Sequence, residues 1–406
     1  MTQDAEAAGA AAPAPSHASP ARPRRRPGRF FVVLVGLAGA MHAFFAVAAA
    51  ELFARLGVAH AGAWGVAAAV LGVALFFNRA RQVMPDRRRS DLVVRLVDIP
   101  FYVHFCAAFF ALVPSLVAAV VWPLFTLATR SEVAFPSGFV LGVYLVGLGL
   151  AAYGTLFRRR AFVVERLDVP VRDLDPRLDG FRIVQLSDLH VGSLTPKPWA
   201  DRWVAAANRE AADLAVVTGD MVTSGVEFHD DIADALADLR AKHGTIVSMG
   251  NHDYFGEGEP LISRLRERGC IVMRNEGRTL THDGADLYLA AVDDTWTRRA
   301  NLEAALAEWP THLPAVLLAH EPAVWDGAAP RNVALTLSGH THGGQVAVPF
   351  FGKRASLANL SHDYTVGLYE RAGAHLYVHP GLGTTGPPVR FGVAPAIAVL
   401  TLRRAR

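Results

Sequence analysis

Carboxylate, amide and imidazole side chains recur in short clusters along the second half of this 406-residue chain. Each cluster directly follows a short apolar run rich in β-branched residues, which predicts that it lies at the end of a buried strand. In chain order the clusters are Asp188-Leu189-His190, Gly219-Asp220, Gly250-Asn251-His252-Asp253, His320 and Gly339-His340-Thr341-His342. Side chains at the carboxyl ends of neighbouring strands meet at one edge of an α/β sheet. The pattern therefore predicts a metal-dependent hydrolase.

The spacing within the clusters supports metal ligation. Asp188 and His190 are two residues apart, as are His340 and His342, so each pair faces one way along an extended segment. A carboxylate with an imidazole, or two imidazoles, makes a ready pair of metal ligands. Asp220 could bridge two cations through its two oxygens. Each cluster alone also fits a turn or capping role, but five in this order are specific.

The cluster around His252 has three polar residues in succession, Asn251, His252 and Asp253. Adjacent side chains cannot all face one point, so their roles should divide. Asn251 is the better ligand, which leaves His252 to face the substrate.

The ordered set resembles the calcineurin-like metallophosphoesterase family over roughly residues 162–402. The family's pattern is Asp-x-His, Gly-Asp, Gly-Asn-His-Asp/Glu, a lone His, and Gly-His-x-His. The longer segments Leu186–Gly192, Gly339–Gln345 and Gly381–Gly392 resemble the YkuE/YaeI branch. An apolar region before the domain is similar to the architecture of the animal "transmembrane protein with metallophosphoesterase domain".

The resemblance implies a dinuclear centre, with one divalent metal on each of two ligand sets. The first set is Asp188, His190, Asp220 and His342, and the second is Asp220, Asn251, His320 and His340. Asp220 would bridge the metals, and His252 would be the acid that protonates the leaving oxygen. Two close cations activate a bridging water and clamp phosphoryl oxygens. Mixed nitrogen and oxygen ligation suits Mn, Fe or Zn better than Mg or Ca.

Three positions depart from the family's pattern. Thr223 stands where the family often has an Asp or Asn that helps to orient the histidine equivalent to His252. Ala394-Pro395-Ala396-Ile397 replaces a common Pro-Pro-Glu-Ile, and His379 stands where the branch usually carries another residue. None of these changes removes an implied ligand, so an inactive homologue is not expected.

The chain is 52% hydrophobic, and the excess lies near its N-terminus. Each of four apolar stretches meets the roughly 20-residue length of a membrane-spanning helix. They are Phe30–Ala50, Val58–Phe77, Phe101–Leu127 and Ser137–Phe157. Fourteen Arg lie before the first stretch, between the second and third, and after the fourth, against two in the other connections. This bias predicts a multi-pass integral membrane protein with both termini and the second half in the cytoplasm.

The distribution of charge along the chain also indicates which partners it binds. Residues 1–160 carry 16 Arg, no Lys and seven acidic residues, a net charge of +9. The remainder carries 24 basic and 30 acidic residues, a net charge of −6. Basic residues beside apolar stretches favour contacts with membrane lipids, and the acidic second half argues against a nucleic-acid partner. Two cysteines, Cys106 and Cys270, cannot build a disulfide framework.

Composition divides the chain into three regions. Residues 1–29 should form a disordered basic tail, because they are rich in Ala, Pro and Arg and cannot bury enough apolar surface. A twin-arginine export signal is the alternative for this tail, but more apolar segments follow instead of soluble sequence. Residues 30–160 should hold four transmembrane helices. His42, His60 and His104 lie in or beside them, and neutral histidines facing the bundle interior are favoured over a haem site or proton relay.

Residues 161–406 should form the metallophosphoesterase catalytic domain. Strands alternate there with helix candidates at Pro198–Ala211, Phe228–Lys242, Glu259–Arg268, Arg298–Trp309 and Glu321–Ala328. Four strands predicted after His342 should form a second sheet with antiparallel pairing. The expected fold class is α/β, a two-sheet β-sandwich flanked by helices and preceded by a four-helix transmembrane region.

The function that follows is a membrane-anchored dinuclear-metal phosphoesterase. It would hydrolyse phosphomonoester or phosphodiester bonds with a metal-activated water. One alternative is a hydrolase that splits a lipid-linked pyrophosphate, as some relatives do with a nucleotide-activated diacylglucosamine. The other alternative is a non-catalytic membrane protein whose domain merely binds metal. The complete ligand set and His252 argue against the non-catalytic alternative, and the sequence does not choose among the ester types.

Overall fold

The computed structural model describes residues 29–81, 85–350 and 353–405. The predicted disordered tail, residues 1–29, lies outside the described residues except for Arg29, which begins the first helix. A helical region comes first, and a two-sheet domain follows it.

Four long helices make up most of the helical region. The helices are α1 (Arg29–Arg55), α2 (Ala61–Ala80), the short α3 (Asp91–Val93), α4 (Ile99–Thr129) and α5 (Ser137–Leu156), and a π-helical turn (Val94–Asp98) joins α3 to α4. These helices belong to four segments that are long and apolar enough to cross a membrane, and α3, the π-helical turn and α4 form the third of them, Asp91–Thr129. Helix α1 packs against α2, α4 and α5, while side chains such as Leu127 remain 77% exposed on the outer surface. The four apolar stretches are therefore helices with lipid-compatible outer faces.

Two of the three histidines in or beside these helices face the bundle interior. The Nε2 atoms of His42 and His104 lie 3.4 Å apart, and Nδ1 of His104 lies 2.9 Å from the hydroxyl of Tyr144. His42 Nδ1 lies 2.7 Å from the carbonyl of Ala38. His60 is exposed at the turn before α2. Polar partners inside the bundle satisfy the first two side chains.

The described residues of the two-sheet domain form fourteen strands and five α-helices. The strands are β1 (Val163–Val171), β2 (Arg182–Leu186), β3 (Leu214–Thr218), β4 (Thr245–Ser248), β5 (Ile271–Val272), β6 (Glu276–His282), β7 (Ala285–Ala291), β8 (Ala315–Leu318), β9 (Leu335–Ser338), β10 (Ala347–Phe350), β11 (Lys353–Ser356), β12 (Gly367–Arg371), β13 (Ala374–Val378) and β14 (Ala396–Arg404). The helices are α6 (Lys197–Asn208), α7 (His229–Ala237), α8 (Gly258–Glu267), α9 (Leu302–Leu306) and α10 (Trp325–Ala328).

The strands form two six-stranded sheets and a small hairpin. The first sheet has the order β1-β14-β2-β3-β4-β5, and the second has the order β12-β13-β9-β8-β7-β6. Strands β2 to β5 are parallel, as are β7, β8, β9 and β13, whereas β14 runs antiparallel to β2. Strands β10 and β11 pair with each other and, within the part of the chain that the structure describes, join neither large sheet. Parallel order brings the carboxyl ends of β2, β3 and β4 to one edge, and those of β8 and β9 likewise.

Apolar side chains between the sheets hold the sandwich together. Ile183 and Val216 of the first sheet and Leu318 and Leu337 of the second belong to one buried cluster. A second buried cluster joins the outer face of the first sheet to α6, α7 and α8. Helices α9 and α10 cover the second sheet, and they share a cluster with its outward side chains. The predicted α/β sandwich flanked by helices is confirmed.

The strands after His342 are distributed differently from the expectation. The sequence analysis placed them together in a second sheet. In the structure β14 joins the first sheet, β12 and β13 join the second, and β10 pairs in the separate hairpin. The second sheet is completed by β6 to β9, which precede the last histidine cluster. Only β12 pairs antiparallel to β13 at that edge, so the predicted grouping of these strands is wrong.

Charged residues connect the helical region to the two-sheet domain. Buried Asp98 is paired with Arg79 at 2.6 Å and with Arg89 at 2.9 Å. Arg88 pairs with Asp231 of α7 at 2.9 Å, and Asp86 accepts a hydrogen bond from the backbone N–H of Ser193 at 3.0 Å. The segment between α2 and α4 therefore contacts both parts of the chain.

Candidate metal centre

The loops that follow β2, β3, β4, β8 and β9 bring all the predicted ligand side chains into one site. Six of them are buried, and only His340 is partly exposed. The seven residues are Asp188, His190, Asp220, Asn251, His320, His340 and His342. Parallel neighbouring strands bring the ligands of each sheet to one edge, and the packing of the two sheets brings these two edges together.

The first group of side chains contains Asp188, His190, Asp220 and His342. Their ligand atoms all lie within 4.8 Å of one another. The Nε2 atoms of His190 and His342 are 2.9 Å apart, and His342 Nε2 lies 3.2 Å from Asp188 Oδ1. His190 Nε2 is 3.6 Å from Asp220 Oδ2. These atoms surround a point that one cation could occupy.

The second group shares Asp220 with the first. Asp220 Oδ2 lies 3.3 Å from His320 Nε2, and the ligand atoms of Asp220, His320 and His340 are mutually close. Nδ1 of His340 lies 3.1 Å from Oδ1 of Asn251 and 3.3 Å from Nε2 of His320. Asn251 thus supplies an amide oxygen to this group. One carboxylate common to two adjacent groups is the arrangement expected of a bridging ligand.

Hydrogen bonds outside the groups fix which ring nitrogens face inward. His320 places Nδ1 2.7 Å from the carbonyl of Thr218, a contact that requires an N–H there and leaves Nε2 as the ligand. His340 places Nε2 3.1 Å from a carboxylate oxygen of Glu321, so Nδ1 is its ligand. Glu321 therefore orients His340, a role that the sequence analysis missed, although Glu321 directly follows His320.

Burial and charge set the protonation of the imidazoles. Burial lowers the pKa of His190 and of His342 well below the usual value, and it lowers the pKa of His340 to about 3. All three are therefore neutral, the form that binds metals. Burial also opposes protonation of His320, but contact with Asp220 outweighs it and raises the pKa of His320 to about 10. A divalent ion in the second group would have to displace that proton, because both need the lone pair of His320 Nε2.

Backbone conformation is unusual at five of the predicted ligands. Their φ angles are positive, at 53° for Asp188, 46° for His190, 52° for Asp220, 72° for His340 and 53° for His342. Non-glycine residues rarely adopt the left-handed region, which costs of order 1 kcal/mol or more each. Such strain persists only where the surrounding structure enforces it, and its concentration here marks this edge as a functional site.

Glycine is required beside these ligands because the backbones approach closely. At Gly219, where φ is +80°, a Cβ would lie 2.6 Å from the nitrogen of Gly250 and 2.7 Å from Nδ1 of His320. At Gly339 a Cβ would collide with the side chains of Ser187 and Asp188. The glycines in the Gly-Asp and Gly-His-x-His clusters therefore make room for the ligand side chains.

His252 lies beside the two groups. Its ring is 4.7 Å from the ring of His190, measured between centroids. Nδ1 of His252 lies 2.6 Å from the backbone carbonyl of Thr223, which fixes the proton on that nitrogen and leaves Nε2 for chemistry. Nε2 lies 3.4 Å from the hydroxyl of Thr385. The main chain of Thr223 therefore orients His252 without the acidic or amide side chain that the family often has at this position.

Asp253 has a structural role that the sequence analysis did not assign. Its carboxylate accepts hydrogen bonds from the backbone N–H groups of Asp220 at 3.0 Å, Met221 at 2.8 Å, Val222 at 3.3 Å and Gly250 at 2.9 Å. One buried side chain thus ties the loop after β3 to the loop after β4. The only sequence signal was its place in the Gly-Asn-His-Asp cluster.

The other departures from the family's pattern also have local explanations. His379 is fully buried, and its Nδ1 accepts a hydrogen bond from the N–H of Gly381 at 2.9 Å. The carbonyl of Pro395 accepts from the N–H of Val163 at 2.9 Å, and Ala396 begins β14. Both positions shape the main chain and contribute no ligand atom to either group.

The residues present fit two divalent ions. Two buried carboxylates lie among four imidazoles whose ligand nitrogens converge, and buried carboxylates are costly unless they are paired with cations. Nitrogen and oxygen donors in this mixture suit Mn, Fe or Zn. The geometry is therefore compatible with a dinuclear site, and the donor set leaves the metal's identity open.

Comparisons with known proteins agree with this geometry. Residues 181–344 match the family model described as "Calcineurin-like phosphoesterase". The chain is 35% identical over 229 residues to "Uncharacterized metallophosphoesterase YkuE" of Bacillus subtilis, an alignment that covers 55% of this chain and 80% of that protein. It is 31% identical over 269 residues to an "Uncharacterized metallophosphoesterase" of Helicobacter pylori, covering 64% of this chain and 70% of that protein.

The name of a further relative refers to a membrane region. The chain is 31% identical over 273 residues to "Transmembrane protein with metallophosphoesterase domain" of Danio rerio, covering 63% of this chain and 61% of that protein. The family model spans the part of the chain that carries the two groups of side chains. The chain therefore belongs to the calcineurin-like phosphoesterase family.

Proposed function

We propose that this chain is a membrane-anchored phosphoesterase with a dinuclear metal centre. It hydrolyses phosphomonoester or phosphodiester bonds with a metal-activated water. The observation that carries this proposal is the convergence of seven ligand side chains, with Asp220 common to both groups. Two bound divalent ions would supply an activated water and charge stabilisation for an in-line displacement at phosphorus.

The side chains of the protein have separate roles in binding the metal ions and in orienting the ligands. One metal ion would be held by Asp188, His190 and His342. The other would be held by Asn251, His320 and His340, and Asp220 would contribute to both. The hydrogen bond from His320 to Thr218 and the contact between His340 and Glu321 keep each ring in its ligating orientation. Asp253 keeps the loops after β3 and β4 in register, so that Asp220 and Asn251 face the same site.

His252 is the proposed general acid. Because Nδ1–H donates to the carbonyl of Thr223, a proton on Nε2 can pass to the leaving oxygen and return a neutral ring with the same hydrogen bond. Nε2 lies on the side of the centre where Thr385 contributes its hydroxyl. The leaving group therefore belongs on the Thr385 side.

The helical region is the proposed membrane anchor, with the two-sheet domain in the cytoplasm. The uneven Arg distribution supports this orientation. Arg88 contacts Asp231, and the guanidinium of Arg159 stacks 4.8 Å from the ring of Trp199. The Arg-rich ends of the spans thus lie on the same side as the domain.

Two alternatives are separated from the main proposal by one experiment. The purified full-length chain, in detergent or nanodiscs, would be assayed with phosphomonoester, phosphodiester and pyrophosphate substrates in Mn, Fe, Zn and Mg. Turnover of an ester that is lost on chelation is the expected result. Turnover of pyrophosphate alone would favour the lipid-linked pyrophosphate hydrolase. Metal binding without turnover of any of the three classes would identify a non-catalytic metal-binding protein.

A further inference from the structure

A cavity of about 390 Å³ lies between the helical region and the two-sheet domain. Leu37 of α1, Phe76 of α2 and Phe105 and Phe109 of α4 form its wall on one side. Gly344–Val346 and the segment around Pro387 form the other. Its volume falls in the range of roughly 300–1,000 Å³ that is usual for ligand sites. Aromatic and aliphatic side chains dominate the wall, which suits a hydrocarbon.

The domain side of this cavity is connected to the candidate metal centre by hydrogen-bonded side chains. Gln345 follows the predicted ligand His342 by three residues. Gln345 Nε2 donates to the carbonyl of Thr385 at 2.8 Å, and the N–H of Thr385 donates back to Gln345 Oε1 at 3.0 Å. The hydroxyl of Thr385 is 3.4 Å from Nε2 of His252. The cavity wall therefore reaches the side of the centre where the leaving group belongs.

The same wall is held directly against a membrane-spanning helix. The N–H of Arg390 donates to the carbonyl of Gly154 in α5 at 3.3 Å, and Val389 shares a buried cluster with Ala107 and Ala151. A Cβ at Gly154 would lie 2.7 Å from Val389. Nη2 of the buried Arg390 lies 3.2 Å from Nδ1 of His342. The metal centre is thus one side chain away from the helical region.

The surroundings of the cavity favour a lipid chain over a soluble apolar ligand. Its helix side consists of segments apolar enough to cross a membrane. On the domain side, Val348, Leu357 and Leu360 are 54%, 63% and 83% exposed, and Leu357 also lines the cavity. Exposed apolar side chains beside membrane-spanning helices are typical of surfaces that contact lipid. A molecule held here would come from the bilayer.

We propose that this cavity binds the hydrocarbon chain of a lipid phosphate ester, with the ester phosphate at the metal centre. This inference rests on the proposed function and names its substrate class. The hydrocarbon chain of the lipid is part of the leaving group, because the cavity wall meets the metal centre beside His252. A water oxygen forms the new bond to phosphorus and loses one proton to solvent. The bond from phosphorus to the lipid oxygen breaks, and the proton of His252 Nε2 goes to that oxygen, which leaves as the lipid alcohol.

The first test measures how kcat/KM depends on the length of the substrate's alkyl chain. The full-length protein in nanodiscs would be given n-alkyl phosphates and n-alkyl methyl phosphates of increasing length, below their micelle concentrations. Each added methylene should raise kcat/KM by up to about fourfold until the cavity is full, the factor expected for burying a methylene. 4-Nitrophenyl mono- and diesters serve as chain-free references.

The outcomes separate the two proposals. A length-independent kcat/KM with retained turnover of the 4-nitrophenyl esters would overturn the lipid inference and leave the phosphoesterase intact. Absence of turnover for every ester in every metal would overturn both. A rise with chain length supports both.

Two cavity variants with opposite expected effects form the second test. Leu37→Trp should fill the cavity and lower kcat/KM for long alkyl esters by about tenfold or more, the worth of two methylenes. Phe109→Ala should enlarge it and move the optimum to longer chains. Val33→Trp is the matched control, since Val33 is 67% exposed on the same helix as Leu37 and should keep the wild-type profile.

Metal content and the unfolding temperature of each variant show that it is folded. If Leu37→Trp misfolds, Phe109→Ala carries the test alone. The inference is overturned if the folded cavity variants keep the chain-length profile of Val33→Trp.

Discussion

Among single residues, Asp220 occupies the most constrained position in the candidate centre. Its carboxylate is shared by both groups of side chains, its backbone is left-handed, and its N–H is held by Asp253. Asp220→Asn should bring activity to background and reduce bound metal, because the amide provides one weaker oxygen in place of two charged ones. Metal analysis and ester hydrolysis on the same sample would measure both effects.

The control for this change lies at the other end of the same strand. Asp213 precedes β3, and its side chain accepts a hydrogen bond from the N–H of Arg182 at 2.9 Å. Asp213→Asn should retain metal and activity. Full metal content and turnover in Asp220→Asn would contradict the two-metal proposal.

His252 should separate chemistry from metal binding. His252→Ala is expected to keep metal content near wild type and to lower turnover by about 10²–10⁴, the usual contribution of a general acid. Esters with a very acidic leaving group should lose much less, because their leaving oxygen needs no proton. Steady-state kinetics over a series of leaving-group pKa values would measure the difference.

Thr223→Ala is the matched control for His252, because Thr223 contacts the ring through its backbone carbonyl, which the substitution retains. Its turnover should fall far less than that of His252→Ala, because it loses only the hydrogen bond from the Thr223 hydroxyl to the carbonyl of His190 at 3.0 Å. Equal losses for good and poor leaving groups in His252→Ala would show that His252 is not the acid. Loss of metal would make it a ligand.

Residue types and spacing were enough to predict that these side chains lie at strand ends and meet. The single sheet edge that was expected is in the structure two edges, one from each of the packed sheets. The contacts that orient them were harder to predict. The carbonyl of Thr223 and the carboxylate of Glu321 act through main-chain geometry and a side-by-side placement of loops. Neither contact can be read from a motif. Any residue at position 223 supplies a backbone carbonyl, and the contact of Glu321 with His340 depends on how two loops lie in space.

At the level of elements, Asp253 joins two loops that begin on neighbouring strands. Asp253→Ala would leave several buried N–H groups without their acceptor. The free energy of unfolding should fall by about 3 kcal/mol or more, because hydrogen bonds to charged acceptors contribute roughly 1.5–3 kcal/mol each. Thermal unfolding of the metal-loaded protein would show a lower midpoint.

Glu257→Ala provides the comparison, since Glu257 is an exposed residue four positions further along the same loop. It should unfold at the wild-type temperature. An Asp253→Ala protein that unfolds no earlier than Glu257→Ala would show that the carboxylate is not what ties the two loops.

The strands ahead of the clusters were predicted from sequence because they are short, apolar and β-branched. Strand β1 was missed, since Glu165, Arg166 and Asp168 interrupt its apolar pattern at the sheet edge. The helix predicted at Arg298–Trp309 is only Leu302–Leu306, because the side chain of Asn301 accepts from the N–H of Ala304 and starts it late. Strand partners depend on contacts between distant segments, so β14 could not be assigned to the first sheet by pattern alone.

For the whole molecule, membrane orientation is the property most open to test. Reporter fusions after Arg160 and after Arg406 should both report a cytoplasmic location, because the Arg-rich connections favour that side. A cytoplasm-active fluorescent protein should be bright at both sites, and alkaline phosphatase should be inactive. Alkaline phosphatase activity at both sites would reverse the proposed orientation.

The contact between Arg390 and Gly154 has a consequence for any attempt to work with the two-sheet domain alone. A fragment cut after Ala161 would end the hydrogen bond from the Arg390 N–H and expose Val389, which is only 5% exposed in the full chain. The arginine that touches His342 would then sit on a loop with no support on one side. A fragment without the helices would therefore keep the predicted ligand side chains but lose the packing of Val389 and the helix side of the cavity.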